Sequence, residues 1–246
     1  MEQHALRGES AMKIRIKFKK YGLMKFIGHL DFMRAWQKFF RQSGIPIAYS
    51  EGFNPHQVFS IAAPLAVGTT GDGEYLDLKL SVESYDMDQL KKQISAALPE
   101  GVELVDAIIL PEKAKAGMAA CYAADYVLSL SDALKAKIND DEKIEAFLSQ
   151  SSIVVKKKNK KGKINDFDLA PGIFAYEVSG KSIRCRLATG SSLNIKPELL
   201  MDALFDYMDL RLEQFTDTLF YSIHRIDIYQ STEPLRTLIE FEQNEE

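Results

Sequence analysis

The chain has 246 residues, 46% of them hydrophobic and 27% charged, and a net charge of −4. That is the composition of a globular protein with a real core, sized for one large domain or two ordinary ones. Nothing approaches the run of about twenty apolar residues that a membrane helix needs. The two cysteines, Cys121 and Cys185, are too few for a four-cysteine zinc site or an iron–sulfur cluster.

Residues 1–11 are polar and charged and read as a flexible extension with no secretory signal. Alternation of Ile14, Ile16 and Phe18 with Lys13, Arg15, Lys17 and Lys19 predicts a half-buried strand over Met12–Lys20. His29–Ser43 follows as a helix, with Leu30, Met33, Trp36 and Phe40 at helical spacing and Gly44 and Pro46 as stops. Val58–Ala63 and Glu74–Val82 are predicted strands, Tyr85–Leu98 a helix and Val102–Leu110 a strand.

The order β-α-β-β-α-β is the ferredoxin-like split arrangement. After a linker at 111–118 it partly recurs. Tyr122–Leu130 is a strand, Asp132–Ser149 a helix and Ile153–Lys158 a strand. Phe174–Val178 and Ile183–Ala188 form a hairpin about Ser179-Gly180, Pro197–Met208 is a helix and Leu219–Tyr229 a last strand. The expected fold class is therefore α+β, two tandem ferredoxin-like units with antiparallel sheets. The first spans 12–110 and the second 119–229, with a Lys-rich flap at Lys156–Lys163 in the second. Residues 230–246 are expected to form a loosely held acidic tail. Both cysteines fall in strand-like apolar segments, so buried thiols in a cytoplasmic protein are expected, without a disulfide. No cofactor is expected.

Charge is unevenly spread. Lys13 to Arg41 holds nine basic residues against one acid, Asp31. Such polarity steers a polyanion to one face, or simply keeps a surface solvated. Asp31, in the first turn of the first helix, complements the helix dipole. Arg34, Lys38 and Arg41 share one face of that helix, a small cost in helix stability that a phosphate-bearing partner would offset.

The loop Tyr49-Ser50-Glu51-Gly52-Phe53-Asn54-Pro55-His56 concentrates aromatic, hydroxyl, carboxylate, amide and imidazole groups, the chemistry of a binding loop. In a β-α-β-β unit it can lie near the start of the first helix, bringing His56 toward His29. With Tyr49 they would make a metal-free phosphodiester-cleaving site, one imidazole taking a ribose 2′-hydroxyl proton. His29, Asp31, Glu51 and His56 are an alternative divalent-metal set. A structural role, each imidazole tying a loop to a carbonyl, competes with both. The Gly-rich stretch Ala66–Gly73 lacks a P-loop Lys-Ser/Thr and reads as a connection between strands. Phe18, Trp36, Phe39 and Phe40 can stack on bases but have the spacing of core residues.

Three runs in order, Gly28–Arg34, Gly44–His56, and Pro64-Leu65 with Gly73–Asp77, resemble the bacterial radical-SAM-linked protein family. Members are fused to, or encoded beside, a B12-binding-type radical SAM protein. The motif-bearing stretch covers about the first hundred residues. Gly28 and Gln57 depart from the family's usual Ser and Pro. The resemblance implies a radical SAM partner and, through a neighbouring ribonuclease of the G type, a link to RNA. The chain lacks the three-cysteine cluster motif of the radical enzyme, which fits an accessory role.

The leading expectation is thus an accessory RNA-binding module acting with a radical SAM enzyme in tRNA or rRNA modification. Asp31, Arg34, Lys38, Arg41, Ser50, Glu51, Phe53 and Asn54 would contact substrate, with Lys13, Arg15, Lys17 and Lys19 adding phosphate contacts. The alternatives are a metal-independent RNA-processing enzyme using His29 and His56 with Tyr49, and a protein-interaction subunit of the radical SAM partner that touches no nucleic acid.

Overall fold

A computed structural model describes residues 11–138, 140–158, 162–210 and 221–243. Most of the expected 1–11 extension, Lys160 and Lys161 of the flap, Leu219, Glu245 and Glu246 lie outside the described residues. The chain is a mixed α and β protein with mostly antiparallel sheet. It divides into two compact units, one made of Met1–Cys121 with Tyr229–Glu246 and the other of Tyr122–Ile228. Among the described residues no helix is long and apolar enough to cross a membrane.

The first unit begins with β1 (Lys13–Lys20), a short 3-10 turn (Gly22–Phe26) and α1 (His29–Ser43). Then come β2 (Phe59–Ile61), β3 (Thr70–Lys79), α2 (Met87–Ala97), β4 (Val102–Ile109) and the single turn α3 (Gly117–Ala120). The strands lie in the order β4-β1-β3, with β2 paired to β3. All these pairings are antiparallel, with Ile14 opposite Leu78 and Ile16 opposite Leu76. That register puts Ile14, Ile16, Phe18, Leu76 and Leu78 on one face, where α1 and α2 cover them.

In α1 the residues turned inward are Phe32, Trp36, Phe39 and Phe40, a spacing of four, seven and eight that makes one helical stripe. Trp36 is fully buried, with ring centroids of Phe18, Phe39 and Phe40 at 5.0, 5.7 and 5.2 Å. Such pairs contribute about 0.5–1.5 kcal/mol each beyond area burial. Leu30, expected in this stripe, is 72% exposed. It stands in the first turn, ahead of the point where the helix meets the sheet. Gly44 ends α1 at φ 71°, a left-handed conformation that glycine adopts without steric cost.

The second unit contains β5 (Ala123–Leu130), α4 (Asp132–Lys137), α5 (Asp141–Leu148), β6 (Val154–Lys158) and β7 (Ile164–Asp168). It continues through β8 (Ile173–Ser179), β9 (Ser182–Ala188), α6 (Pro197–Tyr207) and β10 (Tyr221–Thr232). Its sheet runs β10-β5-β9-β8, while β6 and β7 form a separate two-stranded ribbon. The helix expected over Asp132–Ser149 is two helices, because Ser131 caps one and Asp140 caps the other through its own carboxylate.

The chain then returns to the first unit, the largest departure from expectation. Of the 230–246 segment, the described residues 230–243 are not the loose tail that its acidity suggests. Instead β10 runs on to Thr232, pairs with β11 (Leu235–Thr237) and leads into α7 (Leu238–Gln243), with Leu238, Ile239 and Glu242 buried. The two ends of α7's first turn cap each other. Thr237 Oγ1 accepts from the Glu240 N–H at 3.2 Å, and a Glu240 carboxylate oxygen accepts from the Thr237 N–H at 3.0 Å, a capping box.

Candidate functional site

Strand alternation places Lys13, Arg15, Lys17 and Lys19 on the sheet face away from α1 and α2, yet they do not make one phosphate-facing row. Arg15 is fully buried. Its guanidinium donates to both Asp77 oxygens at 2.7 and 3.0 Å, to the carbonyls of Lys115 and Leu238 at 2.8 and 3.1 Å, and to Glu242 at 3.4 Å. The Gly117 N–H completes the Asp77 carboxylate at 2.6 Å. The arginine expected to meet phosphate therefore holds α3 and α7 to the sheet. Lys19 pairs with Glu103 at 3.3 Å, and Lys17 sits over the Tyr75 ring at 5.7 Å. Lys20 is buried and donates to the Ile27 carbonyl at 2.9 Å.

The helical stripe survives. Arg34, Lys38 and Arg41 are exposed on α1. Arg34 pairs with Asp31 at 2.9 Å, both side chains remaining more than two-thirds exposed, so solvent screens that pair and leaves it weak. Lys38 and Arg41 form no ion pair among the described residues.

The loop after α1 has its own internal frame. Tyr49 and Gln57 form an isolated antiparallel bridge at its base. The Ser50 N–H donates to the His56 carbonyl at 2.8 Å, Ser50 Oγ accepts from the His56 N–H at 3.1 Å, and the same hydroxyl lies 2.8 Å from His56 Nδ1. Ser50 thus joins both ends of the loop and holds the His56 ring. Glu51, Phe53 and Asn54 project at the tip; Tyr49 is 53% exposed and Phe53 fully so. Beneath the loop, the Gln57 amide is 4% exposed and neither of its polar atoms has a partner among the described residues.

His29 takes no part in this loop's hydrogen-bond network among the described residues. It opens α1 and lines a small pocket with Phe18, Lys20, Phe32 and Glu74, and among the described residues it makes no hydrogen bond or ion pair. No hydrogen bond links it to His56 or Tyr49 among those residues. The alternative ligand set His29, Asp31, Glu51 and His56 is likewise not gathered, since no group of three or more His, Cys, Asp or Glu among the described residues is placed to hold a metal. The Gly-rich stretch is partly strand: β3 begins at Thr70, and a Cβ on Gly71 would lie 2.3 Å from a Glu74 carboxylate oxygen.

Two features went unread in the sequence. Leu23, Phe26, Leu30 and Val67 are 83, 52, 72 and 62% exposed. They are drawn together by the Gly68 N–H donating to the Lys25 carbonyl at 2.8 Å and by the approach of Gly28 to Val67. No single period joins them, because Leu23 and Phe26 lie in the 3-10 turn, Leu30 in the first turn of α1 and Val67 in the loop before β3. In the second unit Arg186 clasps Asp125 at 2.7 and 2.9 Å. Beside it the Cys185 thiol is pushed up to about 12 by burial and by the Asp125 charge, so it stays protonated at neutral pH. Cys121 is also buried, and neither cysteine is in a disulfide.

No curated protein matches this sequence. Among solved structures, it is similar to the "Crystal Structure of an Unknown Protein from Galdieria sulphuraria", at 10% identity and a TM-score of 0.27 over 89% of this chain and 98% of that one. Residues 13–197 match the family described as "Uncharacterized protein conserved in bacteria (DUF2344)", and the chain belongs to that family.

Proposed function

We propose that this protein is an accessory RNA-binding module that presents tRNA or rRNA to a radical SAM modification enzyme. The observation that carries the reading is the exposed aromatic pair Tyr49 and Phe53 on a loop fixed by Ser50, in the same unit as the cationic stripe Arg34, Lys38 and Arg41. Exposed aromatics stack on unpaired bases and neighbouring cations take the backbone. The fold we assign is two tandem ferredoxin-like units, supported by the recurrence of strand order in the two units, fourth-first-third-second in each once the β6–β7 ribbon is set apart. The radical SAM partner rests on the resemblance of Gly28–Asp77 to the radical-SAM-linked family.

The test is RNA affinity against salt. Wild-type protein is expected to bind total tRNA with a steep salt slope. Reversing Arg34, Lys38 and Arg41 to Glu should flatten that slope by about 0.7–0.9 for each phosphate no longer neutralised. Phe53→Ala should weaken binding by about 1–3 kcal/mol with the slope intact. Affinity and slope unchanged in both variants would overturn the proposal.

A second reading is favoured by Leu23, Phe26, Leu30 and Val67. Exposed apolar side chains gathered in one region mark protein contact, and this patch suits docking on the radical SAM partner. Co-purification of that partner with wild type, abolished in Leu23→Asp with Leu30→Asp, would support it. Retention in the double variant would rule that surface out.

A further inference from the structure

The first unit carries a second cationic feature, separate from α1 and from the loop after it. On the sheet face away from the core, a groove of about 310 Å³ lies between the edge formed by β2 and the segment that follows β4. Lys13 of β1, Lys79 of β3 and Lys115 of that segment line it, with the Ser60 hydroxyl and the Asp77 carboxylate. Asp77 does not neutralise the lysines, because both its oxygens are engaged by Arg15 and one of them also by the Gly117 N–H. The three ammonium groups form no ion pair or hydrogen bond among the described residues.

The register adds an independent observation. Lys13 and Lys79 are direct cross-strand partners in the β1–β3 ladder, and like charges directly opposite each other destabilise a sheet. The backbone that carries the third lysine is anchored beside the groove, since the Lys115 carbonyl accepts from the buried Arg15 guanidinium at 2.8 Å. A fold that holds three unpaired cations around one concavity, two of them in a repulsive pair, has a positive field that a dianion would relieve. Lysine binds phosphate as a compact point charge. Val58, Leu110 and Ala114 are among the other lining residues, giving an apolar wall beside the charge. The volume stands at the small end of the roughly 300–1,000 Å³ typical of ligand sites, enough for a mononucleotide and too small for a dinucleotide cofactor.

We propose that this groove binds a nucleoside phosphomonoester, its phosphate among the three lysines and the face of its base against the apolar wall, the chemistry shared by a free nucleoside monophosphate and the 5′-phosphorylated end of an RNA. The site uses none of the residues of α1 or of the Tyr49–His56 loop, so it stands whether or not those surfaces bind RNA.

The experiment measures binding and melting of the full chain with inorganic phosphate, AMP, and one short RNA in 5′-phosphate and 5′-hydroxyl forms. Wild type should bind AMP more tightly than inorganic phosphate and rise in Tm on adding it. Lys79→Gln should lose at least tenfold in AMP affinity, and its ligand-free Tm should equal or exceed that of wild type, because the cross-strand repulsion is gone. Lys115→Gln, at an exposed position, should lose affinity with no change in ligand-free Tm. AMP binding with these losses supports the site with a free nucleotide as its source. Preference for the 5′-phosphate RNA over its hydroxyl form, abolished by Lys79→Gln while AMP binds weakly, supports it with a nucleic-acid end as the source. No binding of any probe at millimolar concentration, or binding indifferent to both substitutions, overturns it.

Discussion

Two arginines of the basic N-terminal region show how context decides what a charge does. Arg34 and Asp31 form an ion pair at 2.9 Å with both side chains largely in water, and such pairs contribute little. Arg15 and Asp77 form a similar pair at 2.7 Å with the arginine fully buried and the aspartate 15% exposed. Removing one member of a buried pair leaves the other uncompensated in a poorly solvated place, a cost of about 3–5 kcal/mol. Arg15→Met is therefore expected to lower urea stability by about that amount, and Arg34→Met to change it by less than about 0.5 kcal/mol. Arg15→Lys should not rescue, since an ammonium cannot reproduce the two-pronged contact with Asp77 and still reach the carbonyls of Lys115 and Leu238. Equal losses for Arg15→Met and Arg34→Met would contradict this account.

At the scale of elements, hydrophobic period was a good guide to which segments form and a poor one to what covers them. The helix expected over His29–Ser43 is found with those bounds, and the strand expected over Met12–Lys20 is found as Lys13–Lys20. The period-two pattern of β1 reports only that Arg15 points away from Ile14 and Ile16. It carries no information that α3 and α7 close over that face, because both are short and one lies more than two hundred residues away. The site was legible to the same degree. Exposure of Arg34, Lys38, Arg41, Phe53 and Asn54 follows from helix facing and turn chemistry, whereas the meeting of His29 with His56 needed a tertiary approach that local pattern does not encode.

The last helix makes its own prediction. The backbone N–H of Thr237 and its hydroxyl, with a lesser contribution from the charge of Lys17, hold the Glu240 carboxyl below its ordinary value against the opposing effect of burial. A carboxylate with a depressed folded-state value stabilises the fold fully above its unfolded value, near 4.5, and that contribution is lost as pH falls through the folded value. Local opening of α7, followed by amide exchange, should thus increase below about pH 4.5 in wild type. Glu240→Gln should open more readily at neutral pH and show a flatter acid response. An acid response of α7 identical in the two proteins would remove Glu240 as its cause.

For the molecule as a whole, the first unit is assembled from two stretches of sequence separated by the second unit. Ending the chain at Tyr229 takes away the Leu238 carbonyl and the Glu242 carboxylate that hold Arg15, along with the buried side chains of Leu238 and Ile239. The truncated protein is expected to melt at lower temperature, with protection lost in β1 and β3 and retained in β5 and β9. Uniform loss of protection across all four strands would show that the second unit also depends on the missing segment.

The same split path sets an order of events during synthesis. Arg15 leaves the ribosome 227 residues ahead of its partner Glu242. At roughly 5–20 residues per second that is an interval on the order of 10–45 s. Toward its end the guanidinium has only water, Asp77 and the Lys115 carbonyl as partners, while residues 122–228 have all been synthesised. The unit that begins first is therefore finished last, and a chain whose translation aborts before α7 would display an unsealed sheet face that proteolytic surveillance can recognise.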